Sequence, residues 1–372
     1  MKYRRFAFFT WMFLFCSVFL HAGEIPSGRA FFVSVIEEPP VLGSRGKIAA
    51  LVEYAKKTHT KTLFVQVYRS NQAWFPSKLA DKGPYETCLK SVGEDPLSLL
   101  IREAHSSGIE VHAWMNLLSL GANSEAPLLK KYGAAILTRN IKKKHSLKDY
   151  KIDDQFFLEP GDPRVQEALS VITGELVTRY PGLDGLQFDY IRYPDWHPRY
   201  GHTRINIERY RKKTGRRQIR EESKEWQDWK RAQVTELLAK LAHKARMIHP
   251  AMQISTTGLM PYSRAFEEGS QDWRSWIQSG LIDFVTLMCY AKDEEGFKKY
   301  LEDSEKNLSG LKKANIAVGA YSQLHTPKVF GEQFKLCEDA HPRGCVVLHY
   351  GNLLEEPVLA DVLGSFSDMT GQ

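Results

Sequence analysis

The run Gly182-Leu183-Asp184-Gly185-Leu186-Gln187-Phe188-Asp189-Tyr190-Ile191-Arg192-Tyr193-Pro194 gathers an acid, a guanidinium and two phenols at adjoining positions. Pro181-Gly182 ends whatever precedes it. Gly185–Asp189 then alternates as a short strand, with Leu186 and Phe188 on one side and Gln187 and Asp189 on the other. Asp189 would close that strand beside Tyr190 and Arg192. A carboxylate at the C-terminal end of a strand is well placed for catalysis in a parallel β/α protein. Its competing role is to cap the turn that follows, and spacing alone leaves both open.

Carboxylate chemistry on a glycosidic bond needs a second carboxyl group across that bond to protonate the leaving oxygen. Asp184 and Asp283 each precede a predicted strand, so both fall on the opposite rim as structural groups. Glu159, in Phe156-Phe157-Leu158-Glu159-Pro160-Gly161-Asp162-Pro163, stands just before a turn into the helix that leads to the anchor strand and is the first choice for the acid. Asp162 beside it reads as that helix's cap. Asp272, in Gln271-Asp272-Trp273, with a helix cap as its competing role, and Asp293, which follows the sixth strand and could reach the mouth, are the other candidates.

The elements that would position these groups recur along the chain. Strand-like runs fall at 30–34, 62–68, 110–116, 185–189, 252–256, 284–290, 316–320 and 345–350. Several are spaced by about 30 residues, the size of one strand-plus-helix unit. Asp95-Pro96 and Asp162-Pro163 each pair a cap with a proline at the first helical position, and Gly108 stops the first of these helices. Val234, Leu237, Leu238, Leu241, Ala245 and Ile248 form another apolar helical face, closed by His249-Pro250. Eight alternating units predict an α/β fold, a closed (β/α)8 TIM barrel with enlarged loops around the fourth strand. An open doubly wound sheet is the alternative. It calls for a glycine-rich turn after the first strand, where this chain has Val35-Ile36-Glu37-Glu38-Pro39.

In a barrel the strand C-termini share one mouth. They would bring there Tyr68 and Arg69; Trp114 and Asn116; Asp189, Tyr190 and Arg192; Thr256 and Gly258; Met288 and Tyr290; Tyr321; and His349 and Tyr350. Any one of these aromatics could be packing at the barrel top. The set together suits sugar rings, whose apolar faces stack on Trp or Tyr while amides and charges take the hydroxyls. The long segments 117–158 and 191–225 flank the fourth strand and carry Lys142-Lys143-Lys144-His145 and the basic stretch 209–217. These read as solvated surface, or as the wall of a groove for an extended polymer.

Basic Lys2, Arg4 and Arg5 precede the uncharged stretch 6–20, and His21-Ala22-Gly23 offers a cleavage site. That pattern predicts a signal peptide over 1–22 and a secreted or periplasmic protein, with an uncleaved anchor as the alternative. Cys16, with no small residue before it, does not fit a lipoprotein anchor. Residues 23–372 then form one catalytic-type domain. The whole chain carries +7, three of its cations lying in the leader, so charge gives no case for a nucleic-acid partner. No second membrane span is predicted, and a monomer is expected. Cys88, Cys289, Cys337 and Cys345 lack zinc-type spacing, and whether Cys337 and Cys345 pair stays open. There is no Gly-x-Ser-x-Gly and no His-Glu-x-x-His. His112 reads as a core histidine, and Asp195, His197 and His202 as a loose cluster without a diagnostic metal spacing.

Several of these pieces together resemble the bacterial glycosyl-hydrolase-like 10 family of (β/α)8 barrels. The segment Gln66-Val67-Tyr68-Arg69-Ser70-Asn71-Gln72-Ala73-Trp74-Phe75-Pro76-Ser77 is similar to the family's segment after the second strand. Leu158-Glu159-Pro160-Gly161-Asp162-Pro163 is similar to its Leu-Asp-Pro-Gly-Asn-Pro element, and Asp184–Pro194 to its fourth-strand signature. The stretch from Gln271-Asp272-Trp273 to Met288-Cys289-Tyr290 resembles its fifth-to-sixth strand segment. Many members read Asp-Asp-Tyr where this chain has Asp189-Tyr190-Ile191; the Phe-Asp-Tyr-Ile-Arg form is shared with the related glycosyl-hydrolase-like 13 group. Only the first acid therefore carries over, onto Asp189. Glu159 replaces the family's Asp, and Gln72 stands where an Asp is frequent. The resemblance implies hydrolysis of a bacterial glycan, peptidoglycan strands foremost, with no cofactor. A glycan-binding barrel without catalysis and a metal-dependent deacetylase around His197 and His202 are the competing expectations.

Overall fold

The computed structural model describes residues 28–194 and 199–359, with 361 and 363. The predicted leader, and Asp195 and His197 of the loose cluster, lie outside the described residues. Eight parallel strands form the centre: β1 Gly28–Val33, β2 Thr60–Arg69, β3 Glu110–Asn116, β4 Gly185–Asp189, β5 Gln253–Gly258, β6 Phe284–Met288, β7 Ala314–Gly319 and β8 Gly344–Leu348. Each pairs with the next, and β1 pairs with both β2 and β8, so the sheet closes on itself. This is the predicted (β/α)8 barrel, and its closure leaves no open sheet edge.

Helices α1 Arg45–Lys57, α2 Pro96–Ser106, α3 Pro163–Arg179 and α4 Lys224–Ile248 cover the first half of the barrel. Then come α5 Trp273–Gln278, α6 Glu294–Leu308, α7 Pro327–Asp339 and α8 Tyr350–Glu355. The aspartate–proline signals act as read. Asp95 accepts from the Ser98 amide at 3.1 Å and Asp162 from the Arg164 amide at 2.8 Å. Gly108 follows α2 at φ +68, in the left-handed region that favours glycine.

Strand alternation separates two interiors. Leu186 and Phe188 of β4 face outward into the apolar layer beneath the helices, together with Leu63, Val65, Val111 and Ile254. Phe32, Phe64, Trp114, Phe284, Ala317 and Val346 pack inside the barrel. Gln66, Gln187, Ser255 and Thr286, all fully buried, add polar groups there. His112 is buried with them, edge-on to Phe64 at 5.3 Å, as a core histidine. It leaves no room for a side chain on β4: a Cβ at Gly185 would sit 2.3 Å from its Nδ1.

Asp184 and Asp283 hold the opposite rim, as expected. Asp184 accepts from the Val111 amide at 2.7 Å and Asp283 from the Ile254 amide at 2.7 Å, each fastening the start of its strand to its neighbour. The segments around β4 are structured: strands Ser119–Gly121 and Phe156–Phe157 pair antiparallel, and a helix spans Arg204–Thr214. Among the described residues no helix is long and apolar enough to cross a membrane.

Cys337 of α7 and Cys345 of β8 are disulfide-bonded, which resolves the pairing the sequence leaves open. The loop is short, with a sequence separation of 8, so the chain-entropy contribution is about 2.5 kcal/mol. Reduction of the purified protein, followed by urea unfolding, is expected to lower stability by about that amount. An unchanged midpoint would show that the bond adds nothing to the fold.

Candidate active site

The strand C-termini surround a cavity of about 270 Å³. Asp189 ends β4 inside it, with the residue 6% exposed. Three donors hold its carboxylate. Thr257 Oγ1 and the Tyr190 amide donate to Oδ1 at 2.6 and 2.7 Å, and Trp114 Nε1 donates to Oδ2 at 3.0 Å. An ionised carboxylate oxygen accepts about two hydrogen bonds, so Oδ2 keeps one lone pair for a substrate or water.

The floor beneath is aromatic. Phe32 lies edge-on to Trp114 at 4.8 Å and against Phe64 at 5.1 Å. On one side a polar chain runs over three strands: Ser34 Oγ donates to Gln66 Oε1 at 3.1 Å, and Gln66 Nε2 donates to Asn116 Oδ1 at 2.8 Å. On another side the Arg192 guanidinium lies over the Tyr190 ring, 4.8 Å from its centroid. The enlarged loop supplies Gln155, tied to Ser119 Oγ at 2.8 Å, as part of the wall. Tyr290, Met288, Leu348 and His349 complete the far side. The surrounding protein, and then the Asp189 charge, push the Tyr290 phenol well above its ordinary range, so it is a neutral donor at physiological pH.

Of the predicted site residues, Arg69, Trp114, Asn116, Asp189, Tyr190, Arg192 and Tyr290 line the cavity. Tyr68 does not. A register shift between Gln66 and Tyr68 turns its ring outward, where its hydroxyl accepts from Asn71 at 3.1 Å. Thr256 also faces outward, because the inward side of β5 is Ser255 and Thr257; a one-residue slip in reading a strand exchanges its faces. Tyr350 packs outside the barrel against Phe31 and Tyr54. Tyr321, 47% exposed, flanks the cavity beyond Tyr290, 5.6 Å away and edge-on. Asp272 and Asp293 cap α5 and α6, accepting from Ser275 and Gly296 amides at 3.1 and 2.7 Å. His349 lines the cavity as expected, and Ser34, Gln66, Ser70, Ser119, Gln155 and Thr257 are polar lining residues that the sequence does not single out. Gln66 and Thr257 follow from strand parity once the register is known; Gln155, carried in from a loop, has no local signal.

The structure does not bring Glu159 to the cavity. It is fully buried, accepting from Thr138 Oγ1 at 3.0 Å, from the Gly161 amide at 3.3 Å and from the Tyr193 hydroxyl in a short bond. Lys230, also buried, has its ammonium 5.5 Å from the Tyr193 ring centroid. Burial raises the Glu159 carboxyl and pushes Lys230 down to about 8. His202, of the loose cluster, pairs with Glu221 at 3.1 Å and packs on Trp226. Burial lowers its pKa. Among the described residues no three His, Cys, Asp or Glu side chains gather as a metal site.

The fold and the cavity define a TIM barrel with one buried carboxylate at a mouth of rings, amides and guanidiniums. The Glycosyl hydrolase-like 10 family model matches residues 32–335, and the chain belongs to that family. It is 28% identical over 289 residues to glycosyl hydrolase DigH of Escherichia coli K12, covering 69% of this chain and 63% of that protein. It is 22% identical over 261 residues to glycosyl hydrolase YngK of Bacillus subtilis 168, covering 64% of this chain and 48% of that one. The chain thus spans less than two thirds of these curated relatives. In fold it is similar to the catalytic domain of β-amylase from Paenibacillus polymyxa, with a TM-score of 0.61, 11% identity and coverage of 94% and 99% of the two chains. It is also similar to a β-galactosidase from the psychrophilic Marinomonas ef1, with a TM-score of 0.59, 8% identity and coverage of 92% and 59%.

The Glu159 placement has a pH consequence. Its folded pKa lies above the ordinary 4.5, so its contribution to stability is fully present below 4.5 and is lost as pH rises through the folded value. Glu159→Gln is expected to flatten that fall, read as urea midpoints from pH 4.5 upward. An unchanged slope would contradict a Glu159 carboxyl raised by burial.

Proposed function

We propose that the chain hydrolyses glycosidic bonds of a bacterial polysaccharide, with peptide-free peptidoglycan strands as the first substrate to try. The observation that carries this reading is Asp189: an ionisable oxygen with a free lone pair, fixed by three donors, on the aromatic floor of a sugar-sized cavity. Asp189 would act as nucleophile toward the anomeric carbon, or as base toward the water that attacks it. Trp114 and Tyr190 would stack on sugar rings. Arg69, Arg192, Asn116 and Tyr290 would bond the hydroxyl or acetamido groups. This needs side chains and water only. The names of DigH and YngK, and the family to which the chain belongs, support a glycan as substrate. We place the protein outside the cytoplasm on the basic, apolar and small-residue order of its first residues.

One observation favours a second reading, a barrel that binds glycan without cleaving it. Among the described residues lining the cavity, Asp189 is the one carboxylate. With Glu159 sealed away, a carboxylate pair at either separation typical of these enzymes is not formed by the two acids first considered. Asp189→Asn decides between the readings. It preserves shape while removing the charge, and is expected to slow strand cleavage by about 10²–10⁴-fold, measured by mass analysis of released fragments. Full turnover by the variant would remove Asp189 from the chemistry. Strands bound but left intact by the wild type would establish the binder.

A further inference from the structure

We infer that His349, held by Glu37, is the proton donor opposite Asp189; this rests on the hydrolase reading above. In a ring of eight strands, β4 and β8 face each other. Asp189 ends β4, and His349 follows β8 and lines the same cavity. A group there stands on the far side of a bound sugar from Asp189, where the leaving oxygen requires an acid.

Glu37 comes from the turn after β1, the strand next to β8. Its Oε1 lies 3.6 Å from His349 Nδ1. Both atoms are buried, and neither has a hydrogen-bond partner among the described residues. A buried carboxylate oxygen and a buried ring nitrogen left only to each other are costly unless they close to bonding distance. Catalytic contacts often tighten when substrate enters. The neighbouring chain is shaped to admit the pair. A Cβ on Gly351 would stand 2.2 Å from Glu37 Oε1 and 3.0 Å from His349 Cε1, so a larger residue there would displace the Glu37 carboxylate from its place beside the ring. Asn352 Oδ1 accepts from the His349 amide at 3.2 Å, fixing the backbone from which the ring projects. With Nδ1 turned to Glu37, Nε2 is the ring nitrogen left for the cavity.

The proton balance closes on these groups. Nε2–H gives its proton to the glycosidic oxygen as the bond to the anomeric carbon breaks and its electron pair goes to that oxygen. In one route Asp189 takes up the anomeric carbon, and water, giving a proton back to Nε2, releases it. In the other, water attacks directly and Asp189 takes its proton; Asp189 then releases that proton to solvent, and solvent returns one to His349. Glu37 touches no reacting atom and is a positioning residue.

The test compares wild type, Asp189→Asn, His349→Gln and Glu37→Gln on peptide-free strands and on the same fragments carrying a dinitrophenyl leaving group. Dinitrophenolate departs without a proton. The account expects His349→Gln to lose about 10²–10⁴-fold on strands and to stay within about threefold of wild type on the activated substrate. Glu37→Gln should show the same split at about tenfold, whereas Asp189→Asn should fail on both. A merely structural role for His349 and Glu37 would depress both substrates alike. That result, or no loss on either, overturns the inference while leaving the hydrolase reading intact. A wild type inert toward both substrates overturns the two together.

Discussion

The bond from the Trp114 indole to Asp189 is the contact on which the site depends. It joins the barrel's packing to its chemistry. The indole is too large to shift alone, wedged against Phe32 on the barrel floor, and its single N–H has one acceptor to find. Strand register places that acceptor, since Asn116 pairs with Asp189 and Trp114 with Gln187 across β3 and β4. A slip of one residue between these strands would send Asp189 into the apolar layer under the helices. The aspartates of the far rim oppose such a slip, Asp184 fastening the start of β4 to Val111 of β3. Carboxylates at one end of the barrel therefore hold the carboxylate at the other.

The mouth is built from unequal parts. β3, β4 and β5 give it a rigid anion with fixed donors. β8 gives it an imidazole, backed from outside the cavity lining by a carboxylate from the turn after β1, and buried atoms of both are incompletely bonded. The enlarged loop after β3 adds Gln155 to the wall. Its lysine run, and the basic helix after β4, stay on the surface. Arg209 is spent on Gly161, Gln233 and Glu236 and does not form a groove wall. The cavity itself is lined by rings, amides, hydroxyls and the two guanidiniums of Arg69 and Arg192, not by this surface charge.

Much of this was legible in the chain. Strand periodicity, the aspartate–proline helix starts and the unit spacing specify the barrel. The alternation Leu186, Gln187, Phe188, Asp189 specifies which acid faces inward. Misreadings came where local pattern and tertiary register part. Tyr68 sits on an inward parity that a bulge cancels. Thr257, not Thr256, reaches Asp189 because it shares the inward parity of Ser255 on the fifth strand. Glu159 occupies a conspicuous motif, yet Thr138 and Tyr193, distant in sequence, enclose it. The pairing of Glu37 with His349 joins opposite ends of the chain, and barrel closure alone brings them together.

The most direct measurement is the mass of fragments released from peptide-free glycan strands incubated with the protein in water enriched in oxygen-18. The account predicts shorter strands whose new reducing ends carry the heavy oxygen, since water supplies the hydroxyl at the anomeric carbon. Shortened strands without the label, or strands of unchanged length in complex with the protein, would contradict it.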